Sequence, residues 1–535
     1  MTQAVKNWRV LGSDGQTVSS MQLQRKAMMM NYIGADSGRI FGEWSATGNS
    51  ADTTLSWDRA TLVKRTRERL RNDPMIRGMV RRLLDNVIGR GIRMEADLDA
   101  PALGISEDQA REYEALINAE QSTWINECDY SGNEARRWNL YDIQSALYQS
   151  ELSNGENFIL PRYVKRLGYR YSFCIQVIET DRVVTPSTVS GAAWLSPVKL
   201  DNGNEVRDGI ELGSRGEIQA IHVANQHPGD FNSIANGYEV RRIPTYNRLG
   251  LVNFWHVFPW YRLEATRGEP GLAACLSGAR QLGDYIGFEL LRAEMAAMFG
   301  LVMTQDKPFD TTDDLASADR MGTDREKDRE QVELYPGMVQ YAPPGFTANV
   351  VNPNMPGDNF DTFVERIATF IGGSQGLVRE LVMGSFDKSN FSNTRAALQL
   401  AQRGFEATRA RFIGKYLEPL RERFMNEAVW TRRLVLPGWD IPEKRALWMG
   451  YRAYGPPWPY MEPVRDQQAI ELRLKTTGTL SEECSAQGKN WRDTLRQQAV
   501  EKAFRIAEEK RLGVYEDPNA NKPQNKKQGE NSNAE

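Results

Sequence analysis

A chain of 535 residues with 40% apolar and 26% charged side chains is too long for a single core and too apolar for disorder, so several folded parts are expected. Four scattered cysteines (Cys128, Cys174, Cys275, Cys484) with no CxxC pair exclude a zinc ribbon or disulfide framework and suit a reducing cytoplasm; the three histidines His222, His227 and His256 are poor equipment for acid–base or metal chemistry. The least polar stretch, Leu290 to Met303, still carries Arg292 and Glu294, so no membrane span is expected, and "MTQAVKNWRVLGSDG" lacks the apolar centre of a signal peptide.

Residues 1–57 are rich in Gly, Ser, Asn and Met without a sustained period, the pattern of an arm that orders only against a neighbour. From Trp57 to about Gly89 the period turns helical, as two helices split at Asp73-Pro74. Further helices are predicted from Ser106, a plausible N-cap, to Asn126 and from about Leu140 to Asn154. Alternating β-branched and aromatic residues in "ENFILPRYV", "YRYSFCIQVIETDRVV", "DGIELGSRGEIQAIHV" and "LVNFWHVFPWYR" then predict a mainly antiparallel sheet, giving an α+β domain.

Pro270 opens a long helical run to about Met303, roughly 50 Å at 1.5 Å per residue. Gly278, Gly283 and Gly287 weaken it in isolation; they suit either close helix contact or a solvent face. A short β-like piece, "ELYPGMVQYAPPGFTANVVNP", precedes a helix from Asp358 to Gly372 with Phe360, Phe363, Val364, Ile367, Phe370 and Ile371 as one stripe. The polar segment "GSFDKSNFSN" leads into a helix capped by Ser392 or Asn393 and running to near Glu418, with Leu398, Ala401, Phe405, Phe412 and Tyr416 on one face; Pro419 should kink or end it. "RRLVLPGW" could return a strand to the sheet. The linker "YGPPWPYMEP" precedes a helical module from Pro463 to about Gly513 and a polar tail.

The net charge of −3 conceals blocks of single sign. Arg59 to Arg93 holds eleven basic against three acidic residues, Asp306 to Glu333 ten acidic against five basic, and Ser392 to Arg433 nine basic against four acidic. Such blocks bear on partners rather than fold, although each also suits a solvated helix face. "GGSQG" at Gly372 to Gly376 matches G-x-S-x-G by letter, yet a helix precedes it and every histidine lies upstream, so the glycines are expected to end a helix. No P-loop, HExxH, CxxC or EF-hand pattern occurs. The acidic stretch at 306–333 alternates with Lys and Arg, which favours a charged surface over a metal site. No enzyme, cofactor or metal is expected.

The order of pieces, carried by "SNGENFILPRYV", "FCIQVIETDRVV", "HVFPWYRLEATRGEPGL", "NFSNTRAALQLAQRGFEATRARF" and "GTLSEECSAQGKNWRDTLRQQAVEKAFRIAEEKRLG", resembles the lambda-type family of phage portal proteins over about residues 58–513. The resemblance implies a portal-type fold assembled as a ring, usually a dodecamer, at one capsid vertex, with double-stranded DNA passing through it without sequence readout during packaging and ejection. It implies a flexible arm at 1–57, a wing at 58–265 and 395–462, stem helices at 266–304 and 354–374, a clip at 305–353, a tunnel loop at 375–394, a helical crown at 463–513 and a disordered tail at 514–535. Lys388, Ser389 and Asn390 would face DNA. The partners implied are further copies, a large terminase that supplies the force, head-completion or tail-connector proteins, and the major capsid and scaffold proteins, with no membrane; the place is the virion, and the host cytoplasm during assembly. Lys388 as a mere solubilising turn residue, another structural virion or head-completion protein, and a DNA-processing enzyme are the competing readings.

Overall fold

The computed structural model describes residues 48–130, 138–186, 198–298, 302–305, 346–349, 360–386, 390–457 and 463–512. Most of the expected arm and acidic stretch, Lys388 and Ser389, and the tail lie outside these residues.

Helix α1 (Ala51–Asn72) starts six residues before the predicted Trp57, because the Ser50 hydroxyl accepts the Thr53 N–H at 3.1 Å and caps it there. The Asp73 carboxylate accepts the N–H groups of Met75 and Ile76 at 3.0 and 3.1 Å, and Pro74 opens α2 (Pro74–Val87) where no N–H is needed. Strand β1 (Arg93–Ala96) and the short α3 (Ala100–Leu103) lead to α4 (Glu107–Glu127), which begins in a capping box between Ser106 and Gln109. Helix α5 (Leu140–Asn154) ends on Gly155 at φ 88°.

The predicted sheet is two sheets. β2 (Asn157–Tyr163), β3 (Phe173–Ile178) and β9 (Trp255–Val257) form an antiparallel trio in the order β3-β2-β9. Between β3 and β9 come β4 (Val198–Lys199), β5 (Glu205–Arg207), β6 (Ile210–Leu212), β7 (Ile218–Ala224), α6 (Phe231–Asn236) and β8 (Val240–Pro244); these five strands pair antiparallel in sequence order. The two sheets share a small core of Phe158, Leu160, Ile178, Val183, Ile210, Ile221, Val223 and Phe254.

The long run after Pro270 is shorter than predicted. A 3₁₀ turn at Ala273–Cys275 precedes α7 (Leu276–Met298), whose 23 residues span about 35 Å. Residues expected in its end instead form β10 (Val302–Gln305), which pairs antiparallel with β11 (Phe346–Asn349). Helix α8 (Phe360–Gly373) packs back on α7. Tyr285 stacks on Phe360 with ring centres 5.7 Å apart, and the site of a Cβ on Gly278 lies 3.1 Å from Ile371, so this glycine marks a close helix contact; Gly287 faces open space. The predicted stripe on α8 divides: Ile371 is buried, Val364 and Ile367 half-buried, and Phe370 80% exposed.

Helix α9 (Arg379–Met383) precedes α10 (Phe391–Phe412), whose N-cap is Asn390 rather than Ser392 or Asn393. Pro419 does not end this helix. A π turn at Ile413–Leu417 loosens the ladder ahead of the missing N–H, and α11 (Glu418–Trp430) continues with the proline in its first turn. "RRLVLPGW" forms turns, not a strand: Arg432 and Gly438 take φ 57° and 77°, while Leu434, Leu436 and Trp439 fill the core. After α12 (Pro442–Trp448), the returning strand is β12 (Tyr451–Tyr454), paired with β1. Helices α13 (Pro463–Thr476), α14 (Leu480–Ala486) and α15 (Trp491–Leu512) form the C-terminal module. Salt bridges Arg395–Asp466 and Arg492–Glu114, both 2.6 Å, tie it to the body.

The main core joins α2, α4, α5, α10 and α11 around Trp124, which stacks between Phe173 and Phe424 at 5.5 and 5.3 Å. The fold is thus a mixture of helices and antiparallel sheets.

Candidate functional site

Of the three residues singled out in the sequence, the structure places Asn390. It caps α10 with extended backbone (φ −83°, ψ 154°); its carbonyl accepts the Thr394 N–H at 3.0 Å and its exposed side chain makes no cap hydrogen bond. Thr394 next to it is buried, so the helix is seated from its first turn.

The chain enters this segment from a firmly fixed root. Gly376 takes φ 71°, turning the backbone out of α8, and Leu377 plugs the core. Arg379 pairs with Glu365 on α8. Gly384, at φ 68°, closes α9 with its N–H donating 2.9 Å to the Glu380 carbonyl. Arg82 of α2 donates to the Val382 carbonyl at 3.2 Å and lies so close to Gly384 that a Cβ there would meet its guanidinium at 2.9 Å. Sequence reasoning missed Arg82, because a contact spanning 300 residues has no local signal.

The start of α7 is fixed as firmly. Glu156 is fully buried and accepts from Arg267 (Nη2 to Oε1 2.6 Å), His256 (Nε2, 2.8 Å), the Gly268 N–H (3.0 Å) and Arg59 (3.3 Å). Burial alone would raise its pKa, but Arg267, the His256 hydrogen bond and Arg59 outweigh it and hold the carboxyl well below the ordinary carboxylate range. Burial pushes the His256 pKa down despite its acidic partner. Asp208, bonded to Arg59 at 3.2 Å, balances the second arginine. The backbones beside this pair touch, since a Cβ on Gly268 would overlap the Gly155 carbonyl oxygen.

Neither hydrolytic nor metal chemistry is assembled by the groups that might suggest it. Within "GGSQG", Ser374 Oγ donates to the Ile371 carbonyl at 2.7 Å and lies 3.1 Å from Cys275 Sγ, a thiol whose pKa burial raises. The histidines are engaged elsewhere, His222 with Glu211 and His256 with Glu156. Glu179, Asp181 and His227 gather ligand-type atoms within 4.8 Å. Arg67 already pairs with both carboxylates, at 3.4 and 2.5 Å. His227 Nδ1 accepts the Gly229 N–H at 2.9 Å, which puts the imidazole proton on Nε2, the nitrogen nearest the acids. The group is a salt-bridge network. No helix among the described residues is long and apolar enough to cross a membrane.

Comparison with known proteins finds a family model described as "Phage portal protein, lambda family", matching residues 37–409. The chain is 25% identical to the "Probable portal protein" of Halomonas phage phiHAP-1 over 523 residues, covering 96% of this chain and 93% of that one. It is 20% identical to "Portal protein B" of Escherichia phage lambda, covering 93% of each. Among solved structures, a chain from the "Neck of native GTA particle computed with C12 symmetry" is similar at 12% identity and TM-score 0.39, over 85% of this chain and 99% of that one. One from the "Virion of native gene transfer agent (GTA) particle" is similar at 11% identity and TM-score 0.37, over 81% and 93%.

Proposed function

Because this chain belongs to the lambda family of phage portal proteins, we propose that its copies assemble, twelve to a ring, into the channel through which double-stranded DNA is packaged and ejected at one capsid vertex. In this assignment residues 58–265 and 395–462 are the wing, 266–304 and 354–374 the stem, 305–353 the clip, 375–394 the tunnel loop and 463–513 the crown, between an arm at 1–57 and a tail at 514–535. The clip receives the large terminase and later a head-completion or tail-connector protein. Major capsid and scaffold proteins are further partners of the chain.

The observation that carries the reading is the apolar surface that α7 and α8 leave uncovered. Phe288 and Phe370 are 69% and 80% exposed, with the exposed Leu291 one turn from Phe288, although both helices are rooted in the body. Exposed aromatic and aliphatic groups on adjacent helices fit the flanks of neighbouring copies. Lys388, Ser389 and Asn390 then repeat around the hole. A mildly acidic chain with one lysine per copy at that point gives contact weak enough for sliding, since each neutralised phosphate adds salt-dependent affinity.

Electron microscopy of the purified protein tests the reading. Rings with a central opening the width of a duplex are expected, and Lys388→Ala should keep the rings while altering DNA packaging or retention. Compact monomers at every salt concentration would overturn it.

A further inference from the structure

The described part of the chain opens at Gly48, and its first residues are stitched to one segment, residues 258–266. Arg262 Nη2 donates to the Asn49 carbonyl at 2.8 Å, and the Asp52 carboxylate accepts the Thr266 N–H at 2.7 Å. Between these bonds Glu264 takes φ 62°, a left-handed conformation that is costly for a residue with a side chain and persists where the surroundings fix it. The turn so held carries three large apolar groups within four residues. Trp260, Tyr261 and Leu263 are all exposed, Leu263 by 76%. One such group alone would need no explanation, whereas three together mark a contact site.

Along the chain, the nearest source of apolar side chains is the segment before Gly48. Ile40, Phe41 and Trp44 stand within nine residues of Asn49. The Cα atoms of Leu263 and Trp260 are within about 4 and 8 Å of that of Arg262, whose side chain reaches Asn49. Five extended residues cover up to about 17 Å and eight up to about 28 Å, enough for Trp44 and Phe41 to reach the patch from Asn49. A tether this short presents its segment at millimolar effective concentration, which favours it over the same segment of a separate copy. The portal-family match begins at residue 37, so the stretch 37–47 belongs to the same matched pattern as the body it precedes.

We infer that residues 37–47 dock on Trp260, Tyr261 and Leu263 of their own chain, with Phe41 and Trp44 supplying the covering rings. Aromatic pairs gain from offset or edge-on contact beyond the area they bury. The docked segment braces the turn that leads to Arg267, and through it the start of α7. Lys415 Nζ lies 5.8 Å from the centre of the Trp260 ring, so the same contact reaches the π turn after α10. This docking needs no second copy, so it stands or falls apart from the ring reading.

Hydroxyl-radical footprinting read by mass spectrometry tests the contact on the full chain. Leu249, 83% exposed, serves as the open reference. In the parent protein Leu263 should be oxidised several-fold more slowly than Leu249. In Phe41→Ser/Trp44→Ser the rate at Leu263 should rise to that of Leu249, with Trp260 and Tyr261 following, while the buried Trp124 is unchanged. A short bismaleimide should also join Ser45→Cys to Glu264→Cys within one chain, with the four native cysteines buried and out of its reach. Equal rates at Leu263 and Leu249 in the parent overturn the docking. So does a protected Leu263 that the serine variant leaves unchanged, which would assign the cover to another partner. No crosslink, or one that joins two chains, overturns it too, the latter by giving the patch to a neighbouring copy. Faster oxidation of Trp124 in the serine variant would place Phe41 and Trp44 in the core and likewise overturn it.

Discussion

Arg267 and Glu156 stand 111 residues apart in sequence and meet as a fork on a carboxylate, Nη2 to Oε1 2.6 Å, with neither side chain reaching solvent. The pair joins the start of β2 to the loop that delivers α7. Replacing Glu156 with Gln leaves Arg267 buried without its counter-charge, while Arg59 keeps Asp208. Stability should fall by about 3–5 kcal/mol, the range for breaking a buried pair from one side. Denaturant unfolding checks this. A Glu156→Leu/Arg267→Met double variant should lose less than the two single losses added together, and additive losses would show that the pair is not coupled.

Glu211 provides a pH signature. Burial would raise its pKa, but hydrogen bonds from Arg242, Asn204 and Asn202 and the charge of Arg242 outweigh this and lower it to about 2. The folded value lies below the unfolded one of about 4.3. The stabilisation is therefore complete above about pH 4.5 and is lost as pH falls towards 2, amounting to roughly 3 kcal/mol at most. Glu211→Gln should be less stable at neutral pH and flatter in its stability profile between those limits. A variant with the parental acid limb would refute the assignment.

Gly155 ends α5 at φ 88°, and a Cβ there would overlap the Glu269 carbonyl carbon. Both the backbone angle and the contact oppose a side chain. Gly155→Ala should unfold at lower temperature or fail to express in soluble form. Gly104→Ala, also at positive φ (72°) but facing open space, supplies the comparison, since it carries only the backbone cost. Equal losses in the two would show that the contact with Glu269 has no weight.

If α7 and α8 face neighbouring copies, a charge on their exposed apolar surface should stop assembly without harming the monomer. Phe370→Asp is expected to give a folded monomer with unchanged circular dichroism and no rings by light scattering. Rings at the parental concentration would remove this face from the interface.

Local chemistry made much of this fold legible. Asp73-Pro74, Ser106 and the run Leu140 to Asn154 carry their caps and periods within a few residues, and their helices form where the sequence places them. The errors have non-local causes. Pro419 reads as a kink or a stop; the helix is distorted but does not stop, and the π turn before the proline is held by Tyr416, whose hydroxyl accepts from Asn157 at 2.7 Å. "RRLVLPGW" has strand-like residues, yet Leu434, Leu436 and Trp439 are drawn individually into a core built by distant helices. The α10 cap falls at Asn390, just ahead of Ser392 and Asn393, because all three are good candidates by residue type and nothing local ranks them. In the candidate site, the helix that follows the polar segment was readable, while Lys388 and Ser389 lie outside the described residues. The partners that fix its root, Arg82 and the Glu156 group, join residues roughly 100 to 300 apart and leave no pattern in either neighbourhood.

The π turn also makes α10 a lever with a pinned fulcrum. Tyr416 is held by Asn157 and by Glu151, which Arg411 grips in turn, while the helix projects 22 residues, about 33 Å, to its cap at Asn390. On an arm of that length, moving the tip by 1 Å takes a swing of only about 2° at the fulcrum. Because Thr394, Ala401, Phe405 and Phe412 are buried along that arm, even so small a swing disturbs packing at every turn, so the position of Asn390 is set by the whole body and not by Tyr416 alone.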